Sequence, residues 1–141
     1  TLMVKDIPLR SPGEVLLYSK LRSKTKLASE IDIAWAAGLF EGEGCINLPK
    51  VTREHGYDSP FRLVIQSTDE DVIIKICDLI EGCYKQGPHK PTGHGIKLVH
   101  RFVIQGKNAV GFSYQILPHL CSRRSERLQE ALKEYERLRR K

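Results

Sequence analysis

The segment Ala34-Trp35-Ala36-Ala37-Gly38-Leu39-Phe40-Glu41-Gly42-Glu43-Gly44 restricts the fold of this chain more than any other stretch. Read as a helix at about 100° per residue, it sets Ala34, Gly38 and Gly42 on one side, with Ala37 and Glu41 beside them. Ile33, Ala36, Leu39 and Phe40 fall on the other side and make an ordinary core stripe. A face of small residues lets another backbone approach closely, a spacing best attested between helices in membranes. In this chain the face has two uses open to it: a seam between two copies, or close packing within one. Ser29, with Asp32 three residues on, supplies a capping box, so the pattern predicts a helix over 30–42.

The end of that helix breaks a local rule. Glu41 and Glu43 sit where the helix dipole is negative, and a carboxylate there costs about 0.3–1 kcal/mol. Such breaks concentrate at functional sites. A divalent cation would offset the repulsion, and Mg²⁺ suits a site of few carboxylates completed by phosphate oxygens and water. The plain alternative is two solvated acids on a loop.

Strand-like runs follow at 45–54 and 61–67, with HGYDSP between them as the turn and Pro49 marking an edge or a bulge. Ser67-Thr68-Asp69-Glu70-Asp71 gives hydroxyl caps and acids to a second helix, whose apolar stripe is Val72, Ile73, Ile76, Cys77 and Ile80 and whose terminating glycine is Gly82. Two more strands fit at 83–89 and 96–105. A third helix begins near Asn108 and breaks at Pro118, and a basic amphipathic helix runs from Ser122 to Lys141 over Leu128, Ala131, Leu132, Tyr135 and Leu138. The order is helix, hairpin, helix, hairpin, helix, helix. That is an α+β layout with one antiparallel sheet under helices.

Length and charge narrow the function. The 141 residues fit one compact domain, expected over 29–141, with 1–28 as an N-terminal extension containing Pro8, Pro12-Gly13 and six basic residues from Lys5 to Lys26. Twenty-three Lys and Arg against 17 Asp and Glu leave a net charge of +6, which favours a polyanion, nucleic acid first. No apolar run approaches the ~18 residues a membrane span needs, and nothing reads as a signal peptide, so a soluble intracellular protein with no membrane partner is expected. Cys45, Cys77, Cys83 and Cys121 contain no CxxC pair and read as free thiols. His89, His94 and His100 lie near Cys83, at a spacing that matches no standard zinc site.

Residues Ala36 to Gly44, AAGLFEGEG, resemble the motif of the LAGLIDADG homing endonucleases, with Ala in place of the first Leu and Glu at both acidic positions. The resemblance extends along 30–128 in element order, and through Gln66-Ser67-Thr68-Asp69 and Ile116-Leu117-Pro118-His119-Leu120, which look like that family's text at the ends of its second strand and third helix. It implies a single-motif, homodimeric enzyme that makes a double-strand break in a long, near-palindromic DNA site. The motif helix would pack on its twin through Ala34, Ala37, Gly38, Glu41 and Gly42. Glu43 would hold Mg²⁺, with Mn²⁺ as a substitute. Gln66 would order water and Arg123 would offset phosphate charge. Glu for Asp lengthens the metal-binding side chain by one methylene, and Arg stands where Lys is common. The hairpins would form a saddle over the groove. Ile46, Leu48, Phe61, Leu63, Ile65, Leu98, Phe102 and Ile104 would face the core. Asn47, Val51 and Arg53, then Arg62, Val64 and Gln66, then Lys97, Val99 and Arg101 would face double-stranded DNA, or would form an ordinary solvated face.

Two other readings compete. One is a non-cutting relative of the same fold, either a DNA-binding protein or an RNA-binding intron maturase. The other is a basic ribosome-associated or structural protein, which leaves the acidic helix end without a reason.

Overall fold

The computed structural model describes residues 29–48, 51–52, 56–57, 61–91 and 95–139. The expected 1–28 extension, Arg53 and His94 lie outside the described residues, and nothing is described of the Val51 side chain.

Helix α1 spans Glu30–Glu43 and starts on the expected capping box: Ser29 Oγ accepts the Asp32 N–H at 3.1 Å, and Asp32 accepts the Ser29 N–H in return. It runs straight into strand β1 (Gly44–Asn47) with no connecting loop. Gly44 makes that possible. A Cβ at this position would lie 2.5 Å from the Phe40 carbonyl oxygen and closer still to the Phe40 ring.

A short ribbon of β2 (Val51–Thr52) and β3 (Gly56–Tyr57) follows, pairing Val51 with Tyr57 and Thr52 with Gly56. Of the expected HGYDSP turn, Gly56 and Tyr57 belong to β3 and the rest lies outside the described residues. Strand β4 (Arg62–Ser67), helix α2 (Glu70–Leu79) and strands β5 (Cys83–His89) and β6 (Val99–Gln105) come next. Helix α3 (Gly106–Ile116) passes through a 3₁₀ turn at Leu117–His119, and α4 spans Ser122–Arg139.

The four long strands form one antiparallel sheet in the order β1-β4-β6-β5. Its inner face carries Leu63 and Ile65 of β4 and Phe102 and Ile104 of β6, all essentially inaccessible. Above them lie Ala36, Ala37 and Phe40 of α1, Ile73 and Ile76 of α2, Phe112 and Ile116 of α3, and Leu128, Ala131 and Leu132 of α4. Phe61 is buried with them and its ring lies 5.3 Å from that of Tyr135. The architecture is α+β; among the described residues, helices cover one face of the sheet and leave the other open.

Three expectations need correction. Leu48 is 41% exposed, because the β1–β4 ladder ends at Asn47↔Arg62 and Pro49 offers no N–H to extend it. Strand β6 begins at Val99 instead of 96. Its partner β5 ends at His89↔Val99, so Ile96 and Leu98 have no ladder to join and stand 94% and 50% exposed. Helix α3 begins two residues before Asn108, at Gly106, whose φ of +63° suits glycine and whose N–H donates to the Phe61 carbonyl at 2.8 Å.

Candidate nucleic-acid interface

The pleat sends alternate side chains of each strand to the open face. Ladder register then sorts them into rows. Gln66 of β4 pairs with Arg101 of β6, and Arg101 with Gln86 of β5. Glu43, the last residue of α1, lines the same groove at the end of β1, so this row reads Glu43, Gln66, Arg101, Gln86. The next row is Cys45, Val64, Val103, Tyr84. The third holds Asn47, Arg62 and Gln105. Two polar rows thus flank an apolar one, and apart from Tyr84 and Gln105 all of these side chains line a single open groove.

The groove's charge is positive and little of it is neutralised. Arg101 Nε donates to Gln66 Oε1 at 2.8 Å, an amide that fixes the guanidinium without cancelling it. The Nε of Arg62 is buried and among the described residues has no hydrogen-bond partner. Among the described residues neither arginine meets a carboxylate within ion-pair distance. Val103, at the centre of the apolar row, is 1% exposed between Val64 and Tyr84.

The two motif acids have different surroundings. Glu41 is half-buried, and its Oε1 accepts the Cys121 N–H at 2.6 Å while Oε2 lies 3.9 Å from Arg124 Nε. Its carboxylate is occupied inside the chain and does not reach the seam face. Glu43 is exposed and lines the groove, and among the described residues its carboxylate has no partner. No three His, Cys, Asp or Glu side chains among the described residues lie close enough to hold a metal ion. A hard oxygen donor alone at the mouth of a groove still fits Mg²⁺, which takes one or two protein carboxylates and fills its remaining positions with water and phosphate. Among the described residues Glu43 is the one carboxylate that lines this groove.

The seam residues divide. Ala34, Gly38 and Gly42 are exposed, and a Cβ built on either glycine meets nothing within 4 Å, so among the described residues nothing packs against that stripe. Ile31, 81% exposed, continues the stripe towards the start of α1; the sequence reading missed it, although its i, i+3, i+7 relation to Ala34 and Gly38 was visible. Ala37 is fully buried in the core and does not belong to the open stripe.

The other site residues are only partly brought together. Asn47, Arg62 and Arg101 lie in the groove with Glu43 and Gln66. Lys97 is exposed but lies two residues before β6, outside the rows. Arg123 lines a different cleft on α4, beside Glu126, Arg127 and Glu130. Its neighbour Arg124 reaches the motif instead: Nη1 donates to the Gly44 carbonyl at 2.6 Å, and the guanidinium lies 5.9 Å from the Phe40 ring centroid. The clue was available, because Arg124 stands four residues before Leu128 on the apolar side of α4. His100 is buried on the inner face, with Nδ1 3.5 Å from Glu70. Among the described residues no helix is long and apolar enough to cross a membrane.

No protein-family model matches the chain, and no curated protein is significantly similar to it in sequence. Among solved structures it is similar to the group I intron-encoded homing endonuclease I-CeuI complexed with DNA, at 13% identity and a TM-score of 0.48. The match covers 90% of this chain and 62% of that one, and at such similarity it transfers no residue roles.

Proposed function

We propose that this chain is a sequence-specific, Mg²⁺-dependent DNA endonuclease that acts as a homodimer and cuts both strands of a long, near-palindromic site. The observation that carries the reading is the place of Glu43. An exposed carboxylate with no partner among the described residues stands where the bare stripe of α1 meets a positively charged sheet groove. Pairing two copies through Ala34, Gly38 and Gly42 would bring two such carboxylates to one axis and continue the grooves along a duplex. One motif per chain requires two chains per cut.

Mg²⁺, when bound, would neutralise the phosphate and activate a water for attack on phosphorus. The protein's share is positional. Glu43 holds the ion, Arg62 and Arg101 fix the duplex in the groove, and the rigid α1–β1 junction keeps the carboxylate in place. Attack by water breaks a phosphorus–oxygen bond, and the departing oxygen takes up a proton. Arg123 lies outside the groove, which favours a second reading in which the chain binds DNA and does not cut it.

Incubation with a randomised duplex library and Mg²⁺, followed by sequencing of cleaved ends, tests the proposal. Recovery of a near-palindromic cut site supports it. A protein that selects bound sequences but never cuts them in Mg²⁺ or Mn²⁺ is a binding protein.

A further inference from the structure

Resting on the reading of the groove as a DNA-binding surface, we infer that Arg101 reads a guanine through the major groove and that Gln66 is a positioning residue for Arg101. The argument begins with the sheet order. Strand β6 is interior, flanked by β4 on one side and β5 on the other, so Arg101 rises from the floor of the groove and not from its rim. Side chains on the floor of a sheet laid into a major groove meet base edges, whereas rims and loops meet phosphates.

The chemistry of the row points to the base. Arg101 gives its Nε to Gln66 Oε1 at 2.8 Å, which fixes the plane of the guanidinium; among the described residues its two terminal nitrogens have no partner and stand as a pair of donors. Such a pair matches the O6 and N7 acceptors of guanine, and no other base presents two acceptors side by side on that edge. Both cross-strand neighbours, Gln66 and Gln86, are neutral amides. The charge is therefore held in place without being quenched, unlike that of Arg137, which pairs with Glu134. One lone pair of the Gln66 carbonyl oxygen is engaged by Arg101, which leaves the amide nitrogen for other partners in the groove. The role of Gln66 is to aim the arginine.

The test is selection of bound duplexes from a randomised library in EDTA, so that cleavage makes no contribution, with the full chain, Arg101→Gln and Gln66→Met. Both substitutions lie on the groove face of the sheet. The parent should fix guanine at one position of each half-site by a factor on the order of 10–100, as a bidentate contact gives. Arg101→Gln should lose guanine at that position and keep the rest of the site. Gln66→Met should relax the same position by a smaller factor and leave the others alone. An affinity loss in Arg101→Gln that is uniform over all sequences makes Arg101 a phosphate contact and overturns the guanine assignment. An unchanged site in Gln66→Met overturns the positioning role. A parent that selects no sequence removes the DNA-reading groove itself, and this inference with it.

Discussion

Arg124 and Gly44 lie 80 positions apart in the chain, yet Arg124 Nη1 donates to the Gly44 carbonyl oxygen at 2.6 Å. The bond ties α4 to the point where α1 becomes β1, one residue after Glu43. Removing it as Arg124→Met leaves a carbonyl without its charged donor and should cost about 1.5–3 kcal/mol. Urea denaturation of the parent and variant checks this. Arg124→Lys keeps the charge but not the planar fork, so it should recover only part of the loss.

Gly38 separates folding from association. Its Cβ position is open, so Gly38→Leu should leave the fold intact and gain about 0.8 kcal/mol in helix propensity. Across a helix–helix seam the same side chain forces two backbones apart. The expected outcome is a folded monomer, read as unchanged circular dichroism with halved mass in sedimentation equilibrium. A Gly38→Leu dimer as tight as the parent moves the seam elsewhere.

Glu43→Gln keeps the shape of the side chain and removes its charge. Cleavage in Mg²⁺ should fall by orders of magnitude, while DNA affinity in EDTA should hold or rise. Glu41→Gln should show the opposite pattern. It weakens the hydrogen bond to the Cys121 N–H and the attraction to Arg124, so it should lower stability more than it lowers cleavage. Equal cleavage by Glu43→Gln and the parent would remove Glu43 from the metal site.

The hydrogen bond and charge of Lys85, whose Nζ lies 3.1 Å from Glu70, hold the Glu70 carboxyl below its ordinary value of 4.5, and His100 adds a smaller contribution of the same sign. The folded pKa lies below the unfolded one, so the stability this carboxylate contributes is present above the unfolded value and is lost as pH falls through the folded value. Glu70→Gln should therefore melt below the parent at about pH 6, with the gap closing as the pH falls below 4.5. A gap that widens on acidification contradicts the assignment.

How far the sequence could be read depended on whether a feature was local. The Ser29–Asp32 capping box and the apolar stripe of α2 depend on neighbours three or four residues away, and both hold in the structure. The alternation that puts Leu63 and Ile65 inward and Arg62, Val64 and Gln66 outward is likewise local. Strand ends were not legible, because they depend on where a partner stops: Leu48 and Leu98 carry core-like side chains past the last available ladder pair. The same limit separated Arg123 from Arg124. One residue turns about 100° around a helix, and the roll of α4 is set by the packing of Leu128 and Leu132 against distant elements. The partners of Glu41 and Gln66 also come from remote segments that the order of residues does not bring into view.

The sheet assigns its two surfaces to separate sets of positions: odd-numbered residues of β4 and even-numbered residues of β6 enter the core, while their neighbours line the groove. If the groove binds DNA as proposed, substitutions at Asn47, Arg62, Val64, Gln86 or Arg101 would change what it recognises while sparing the inward-facing side chains of the core. On that reading, a lineage with this architecture could exchange one target for another by changes confined to the groove face. Val99 and Val103 are exceptions: both lie on the groove side of β6 yet are only 6% and 1% exposed, so replacing either would disturb the fold as well as the groove.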